Sequence, residues 1–254
     1  MEDQGIKIGI IGVGMVGVQL DRYFREVKKL KRSEDLFLYD IDPKKSFSDD
    51  INRADIIFVS VPTPRNHDGS CNISAVESTL KSISAGKIVV IKSTVPPGTT
   101  EQLQEQFPEV KLLFNPEFLT ESQAWEDMVR PDRQIVGFTK KSIDAAHLVL
   151  SVLPKAPFMS PWGSGYKKYA LTATEAEAAK LFANAYFAMK VMFANHIADA
   201  CKAAGADYEH VRQAISADYR IGDSHMDVYH GKFRGFGGYC LPKILRQLYN
   251  FLNQ

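Results

Sequence analysis

The sequence predicts an α/β fold: a doubly wound parallel sheet at the amino end, followed by a small all-helical domain with a long central helix. Three observations carry this. Short apolar runs alternate with helical periodicity from Ile6 to Val152. A glycine-rich turn joins the first apolar run to the first helical one. After a stretch rich in proline and glycine, one helical pattern runs on for roughly 30 residues.

Residues 6–11 (Ile-Lys-Ile-Gly-Ile-Ile) read as a strand buried on both faces. Residues 16–30 read as a helix, with Val16, Leu20, Phe24, Val27 and Leu30 at helical spacing. Further strands are predicted over 36–39, 55–61, 87–91, 111–114 and 133–138, and helices over 72–84, 99–107 and 142–152. Strands alternating with helices imply a parallel sheet covered on both faces. Turn formers crowd residues 154–166 and set the boundary between a domain over 1–165 and one over 166–254. The long helix is predicted from Thr174 to about Ala204, and Gly205 is its stop. Thr174-Glu175-Ala176-Glu177 matches a capping box. Ala178, Leu181, Phe182, Ala185, Met189, Met192 and Phe193 form its apolar face. Such a helix spans ~45 Å, more than one small domain, so part of its face is expected to pack on a second subunit as a homodimer.

Composition is that of an ordinary globular protein, with 45% hydrophobic and 24% charged residues. A net charge of +1 gives no basic excess for nucleic acid. Cys71, Cys201 and Cys240 are an odd, widely spaced set, which excludes a disulfide framework and a CxxC zinc site. The six histidines show no metal-ligand spacing. The start lacks a signal-peptide pattern, and no apolar run approaches the ~20 residues of a membrane helix. A cytoplasmic location is expected.

Gly12-Val13-Gly14-Met15-Val16-Gly17 is a GxGxxG between a strand and a helix. In that context the first glycine allows a tight turn, the second lets a pyrophosphate approach the backbone, and the third lets helix and strand pack closely. This is the fingerprint of a Rossmann-like dinucleotide site. Asp40 ends the second strand, 23 residues after Gly17, where a carboxylate hydrogen-bonds the adenosine ribose. It would repel a 2′-phosphate, and Ile41 offers no arginine to hold one, so NAD is expected over NADP. The plainer alternative for Asp40 is a turn residue before Asp42-Pro43.

Four further segments go beyond a generic fold of this kind: Val61-Pro62-Thr63-Pro64, Lys92 to Thr99 (KSTVPPGT), Asn115 to Glu121 (NPEFLTE) and Gly235 to Lys243 (GFGGYCLPK). In this order, with Pro131-Asp132-Arg133 and the Lys180 to Asn184 segment, the chain resembles the UDP-glucose/GDP-mannose dehydrogenase family from Lys7 to Lys243. The resemblance implies a nucleotide-sugar substrate, oxidised at C6 from alcohol to carboxylate with two NAD. It makes Cys240 the nucleophile, forming a thiohemiacetal and then a thioester. It makes Glu117 a general acid or base, and Lys180 and Asn184 a pair that stabilises the oxyanion and places water. Thr94 would lie near the reacting centre. Pro62, Thr63, Thr94, Glu121 and Lys243 would face the cofactor. Phe118, Leu119, Arg220, Phe236 and Gly237 would join Glu117, Lys180 and Asn184 around the substrate, with Arg220 reaching across a dimer. For these residues the bland readings are a buried structural cysteine, a solvated helix stripe and exposed loop glutamates.

Two departures from the family pattern stand out. The family follows the cysteine-loop lysine with an aspartate, whereas Lys243 is followed by Ile244. The family also normally carries a third, carboxyl-terminal nucleotide-binding domain, which is expected to be lacking because the chain stops at Gln254. Three readings follow: a working nucleotide-sugar dehydrogenase, a truncated or degenerate relative that binds NAD and dimerises without completing the oxidation, and a two-electron dehydrogenase of the wider 3-hydroxyacid type. The last needs no cysteine in a Gly-Phe-Gly-Gly loop and ranks lowest. Pro131-Asp132-Arg133 leans toward UDP-glucose as the sugar.

Overall fold

The structure is a computed structural model that describes residues 5–161, 170–230, 232–235, 245 and 248. Strand β1 (Ile8–Ile11) pairs in parallel with β2 (Leu36–Tyr39) on one side and β3 (Ile56–Val59) on the other. Strands β4 (Ile88–Ile91) and β5 (Lys111–Phe114) continue the parallel run. The segment expected as one strand over 133–138 divides. Strand β6 (Arg133–Ile135) pairs with β8 (Phe158–Ser160) in a separate two-stranded ladder. Strand β7 (Gly137–Phe138) joins the main sheet antiparallel to β5. The main order is therefore β2-β1-β3-β4-β5-β7. The division falls beside a close approach: a Cβ on Gly137 would lie 2.7 Å from the Ala176 Cβ and 2.7 Å from the Thr172 carbonyl oxygen.

Helices α1 (Met15–Glu26), α2 (Ser74–Lys81), α3 (Thr99–Gln106), α4 (Ala124–Val129) and α5 (Ala146–Val152) follow or separate the strands. Alternate strand residues supply two cores. Ile8, Ile10, Ile56, Phe58, Val90 and Leu113 pack with Leu20 and Phe24 of α1 and Val149 of α5. Ile57, Val59, Val89, Ile91, Leu112 and Phe114 pack with Val76 and Leu80 of α2 and Leu103 of α3. Burial on both faces explains why these strands read as unbroken apolar runs. The order reverses between β1 and β3, which puts a ligand crevice beyond their carboxyl ends.

Helix α6 (Ala173–Ala203) is the expected long helix, and it ends before Gly205. One expectation for it is corrected. Its capping box is Thr172 with Glu175: the Thr172 amide donates to Glu175 Oε2 at 2.7 Å, and the Glu175 amide donates to Thr172 Oγ1 at 3.3 Å. Glu177 points inward instead. Its carboxylate accepts from the Gly98 and Thr100 amides at 2.6 and 2.8 Å, and from Thr100 Oγ1 at 2.5 Å. It thus caps α3, whose own N-cap, Gly98, has no side chain to do so. Of the expected apolar face of α6, Leu181 and Ala185 are buried, together with Ala173, Ala176, Ala188, Val191 and Ala194, while Phe182, Tyr186, Met189, Met192 and Phe193 are exposed.

Contacts group Met1–Asn66 with Cys71–Lys180 as one unit, and His67–Ser70 with Leu181–Gln254 as another. The second unit holds most of α6, α7 (Tyr208–Ser216) and a short antiparallel pair, β9 (Tyr229–His230) and β10 (Phe233–Arg234). Within it, Arg234 binds Asp199 at 2.6 Å and the Asn195 side-chain oxygen at 2.9 Å. Arg212 likewise gathers Glu209 and Asp223. Among the described residues, no helix is long and apolar enough to cross a membrane.

Burial pushes the Glu177 carboxyl up to about 7, against the Thr100 and Gly98 hydrogen bonds that pull it down. The folded state therefore holds this proton more tightly than the unfolded chain. The associated stability is fully present below about pH 4.5 and is lost as the pH rises through about 7. Glu177→Gln removes the titration. Its unfolding midpoint should gain on that of the wild type by the equivalent of about 2–3 kcal/mol between about pH 5 and pH 8. A midpoint difference that is the same at both pH values would refute the assignment.

Candidate active site

The glycine loop follows β1 directly. Gly12 has φ 86°, and a Cβ there would lie 2.7 Å from the Ser60 carbonyl oxygen at the end of β3. A Cβ on Gly17 would lie 2.1 Å from the Gly12 carbonyl oxygen, so the first and third glycines are required by contact. Gly14 differs: a Cβ there would meet nothing within 4 Å. Gly14 is the N-cap of α1, with no side-chain cap and no acidic residue in the first turn. That leaves Met15 and Val16 amides at a positive helix end with open space before them, which suits an anion.

Asp40 closes the loop from the side. Its Oδ2 accepts from the Val13 amide at 2.7 Å and from Lys45 Nζ at 2.8 Å, and its Oδ1 accepts from the Asp42 amide at 3.0 Å. Burial pushes this carboxyl up, but the Lys45, Asp42 and Val13 hydrogen bonds outweigh it and hold it below the ordinary carboxylate range. Three bonds leave about one of a carboxylate's roughly four acceptor positions for a ribose hydroxyl. Lys45 was not singled out from the sequence. The signal for it is local: Asp42 caps a short 3-10 turn with Pro43 at its start, and that turn brings Lys45 back onto Asp40.

The ends of β3, β4 and β5 carry the other predicted residues of this unit. Thr63 Oγ1 donates to the Thr94 carbonyl at 2.7 Å, and Ser93 Oγ donates to the Val61 carbonyl at 2.7 Å. These bonds join the loop containing Pro62 to the loop containing Thr94. Beside them, Glu117 Oε1 pairs with Lys180 Nζ at 2.9 Å, with both side chains largely buried. Glu117 Oε2 accepts from the Leu119 amide at 2.8 Å, which fixes the carboxylate in the turn that presents it. The Phe118 ring lies under two cations, with the Arg133 guanidinium 3.8 Å and the Lys180 ammonium 5.4 Å from its centroid. The role of Arg133 over Phe118 had no signal in the sequence beyond its place after Pro131-Asp132. Glu121, by contrast, is exposed at the start of a 3-10 turn.

Asn184 is half-buried and lies one turn after Lys180 on α6. Arg220 is exposed in the second unit, paired with Asp218 at 2.5 Å. Cys240, Phe236, Gly237 and Lys243, and Ile244 with them, lie outside the described residues. Among the described residues, no group of three or more His, Cys, Asp or Glu side chains could hold a metal ion.

A dinucleotide cradle at the switch point of a parallel sheet, with a Glu–Lys ion pair in the same unit, defines a Rossmann-like dinucleotide-binding domain. The chain belongs to the UDP-glucose/GDP-mannose dehydrogenase family: residues 42–150 match the family's NAD binding domain, and residues 174–254 match its central domain. The cofactor is accordingly NAD. The chain is 35% identical over 217 residues to the UDP-glucose 6-dehydrogenase of Pseudomonas aeruginosa, covering 80% of this chain and 46% of that protein. It is 30% identical over 242 residues to the Rickettsia typhi UDP-glucose 6-dehydrogenase, covering 92% and 51%. The chain thus spans about half the length of these curated relatives. Among solved structures, a UDP-glucose dehydrogenase from Pyrobaculum islandicum aligns with TM-score 0.81 and 26% identity, over all of this chain and 66% of that one.

The glycine contacts yield a direct test. Gly17→Ala forces the loop off the helix, at a cost of about 1–3 kcal/mol. NAD affinity, read by fluorescence titration, should fall at least about tenfold. Unchanged affinity would disprove the cradle.

Proposed function

We propose that this chain oxidises a nucleotide sugar at C6 with NAD, and that UDP-glucose is that sugar. The observation that carries the reading is the buried Glu117–Lys180 pair at the sheet edge that also presents the glycine loop. The named relatives and Pro131-Asp132-Arg133 favour UDP-glucose. The functional division is a cofactor domain over 1–165 and a helical domain over 166–254 carrying the cysteine loop.

In this mechanism Gly12 to Gly17 and Asp40 hold the dinucleotide, and Pro62, Thr63 and Thr94 line its path. When bound, NAD supplies the hydride acceptor. Glu117 takes the alcohol proton through water, while the Lys180 ammonium and the Asn184 amide stabilise charge on the C6 oxygen. Cys240 adds to the aldehyde as a thiohemiacetal, and the second oxidation leaves a thioester for water to cleave. Phe118, Leu119, Arg220, Phe236 and Gly237 contact the sugar nucleotide, and Glu121 and Lys243 the cofactor.

A second reading is favoured by Ile244, which can neither accept a proton nor orient water. Under it the protein binds NAD and stops before free sugar acid is released. One assay separates the two: NADH formation from NAD with UDP-glucose, UDP-N-acetyl sugars and GDP-mannose in turn. Steady turnover with UDP-glucose, lost in Cys240→Ala, is the expected result. NAD binding without NADH from any sugar would leave the second reading, and turnover with another sugar alone would correct the substrate.

A second copy of the chain is proposed to pack along α6. Phe182, Tyr186, Met189 and Phe193 recur at helical spacing and are each about half exposed, which makes one apolar stripe. Met189→Glu on that stripe should shift the protein from dimer to monomer in sedimentation equilibrium at micromolar concentration. A dimer of undiminished affinity would rule the stripe out.

A further inference from the structure

Lys92 stands at the end of β4 and is 6% exposed. Its ammonium donates to the side-chain oxygen of Asn115 at 2.6 Å and to the Asn115 carbonyl at 3.3 Å. Asn115 in turn donates to Gln134 Oε1 at 2.9 Å and to the Ile135 carbonyl at 2.6 Å. Both partners of the buried ammonium are thus neutral. A buried charge held only by neutral groups costs several kcal/mol relative to a well-packed apolar residue. A peg between β4 and Asn115 would not need that charge. The charged groups that act on Lys92 are the Glu117 carboxylate, from the loop after β5, and the Lys180 ammonium, from α6. With Lys92 and Lys180 protonated and Glu117 ionised, the enclosed cluster carries one net positive charge.

We propose that Lys92 is a positioning residue for the Glu117–Lys180 pair: through Asn115 it fixes the strand end that presents Glu117, and its charge makes the cluster cationic, favouring an oxyanion at the reacting carbon. The proposal rests on the dehydrogenase reading above and adds to it a residue for which the sequence offered no role. The charge is also adjustable. Burial pushes the Lys92 ammonium down to about 8, with Glu117 pulling it up and Lys180 pushing it further down. Lys92 therefore loses its proton, and the cluster its net charge, as the pH rises through about 8. Activity that depends on the charged form falls over the same range.

The test measures kcat and KM for NADH formation from NAD and UDP-glucose between about pH 6 and pH 10. Wild-type kcat should fall with an inflection near pH 8. In Lys92→Met, kcat at pH 7 should drop about tenfold and that inflection should vanish, with KM for NAD unchanged. The same inflection in Lys92→Met would overturn the proposal. Should wild type form no NADH with any nucleotide sugar, the dehydrogenase reading fails and the electrostatic link is decided separately. The Lys92 side-chain carbon resonance, assigned through its backbone amide, is then titrated by NMR in wild type and in Glu117→Gln. A midpoint near 8 that falls further in Glu117→Gln supports the link. An ordinary lysine midpoint, or one unmoved by Glu117→Gln, overturns it. The NMR arm also decides the matter if Lys92→Met does not fold.

Discussion

The strands of the sheet end in register, and the candidate site depends on that constraint. Val59, Ile91 and Phe114 are direct neighbours across β3, β4 and β5. The next residues, Ser60, Lys92 and Asn115, therefore leave the sheet side by side. Ser60 meets the Gly12 turn, and Lys92 meets Asn115. Two residues beyond Asn115, Glu117 is delivered to Lys180. A one-residue slip of β5 would turn Asn115 to the opposite face and break both the Lys92 bond and the Gln134 bond. The chemistry of the site is in this sense a property of strand pairing, and the apolar runs that enforce that pairing are also functional.

The first turns of α6 show how much one helix face can hold. Ala173, Ala176, Glu177 and Lys180 are spaced so that all four share a face. The two alanines let the helix approach β7 closely enough that Gly137 has no room for a side chain. Glu177 then caps α3, and Lys180 reaches Glu117. Small residues set the distance, and long charged ones use it. A bulkier residue at 173 or 176 would move the helix outward and lengthen the Glu117–Lys180 contact.

That face explains what was legible in the sequence and what was not. The strands were legible because burial on both sides favours β-branched and large apolar residues in short runs, as in Ile-Ile-Phe-Val at 56–59. The glycine loop was legible because its three glycines stand at fixed spacing between an apolar run and a helical one. The face of α6 was legible only in part. Periodicity selected Leu181 and Ala185, which are buried, but also Phe182, Met189 and Phe193, which are exposed, and it passed over Ala173 and Ala176. Hydrophobic patterning has no means of ranking an alanine that permits close approach above a phenylalanine that would prevent it. The capping box slipped by two residues for a related reason. Thr172 and Thr174 each precede a glutamate by three, and only tertiary contact decides that Glu177 is needed elsewhere. Lys92 was quoted within a motif but had no role of its own, because its partner Asn115 lies on another segment.

Two carboxylates in this unit are held in different ways. Glu177 bonds amides and a hydroxyl, all neutral, and burial, with a smaller push from the Glu101 carboxylate, drives its carboxyl up. Dipoles at the end of an eight-residue helix are too weak to offset the lost hydration. Glu117 is answered differently, by a full charge at 2.9 Å with a second ammonium behind it. The same residue type therefore serves as a cap in one place and as one half of an ion pair in the other. Only the second is reached by a lysine from another element. For Glu117, Lys180 comes from α6, which the small residues at 173 and 176 bring close to β7, and Lys92 follows β4, whose end the strand register sets.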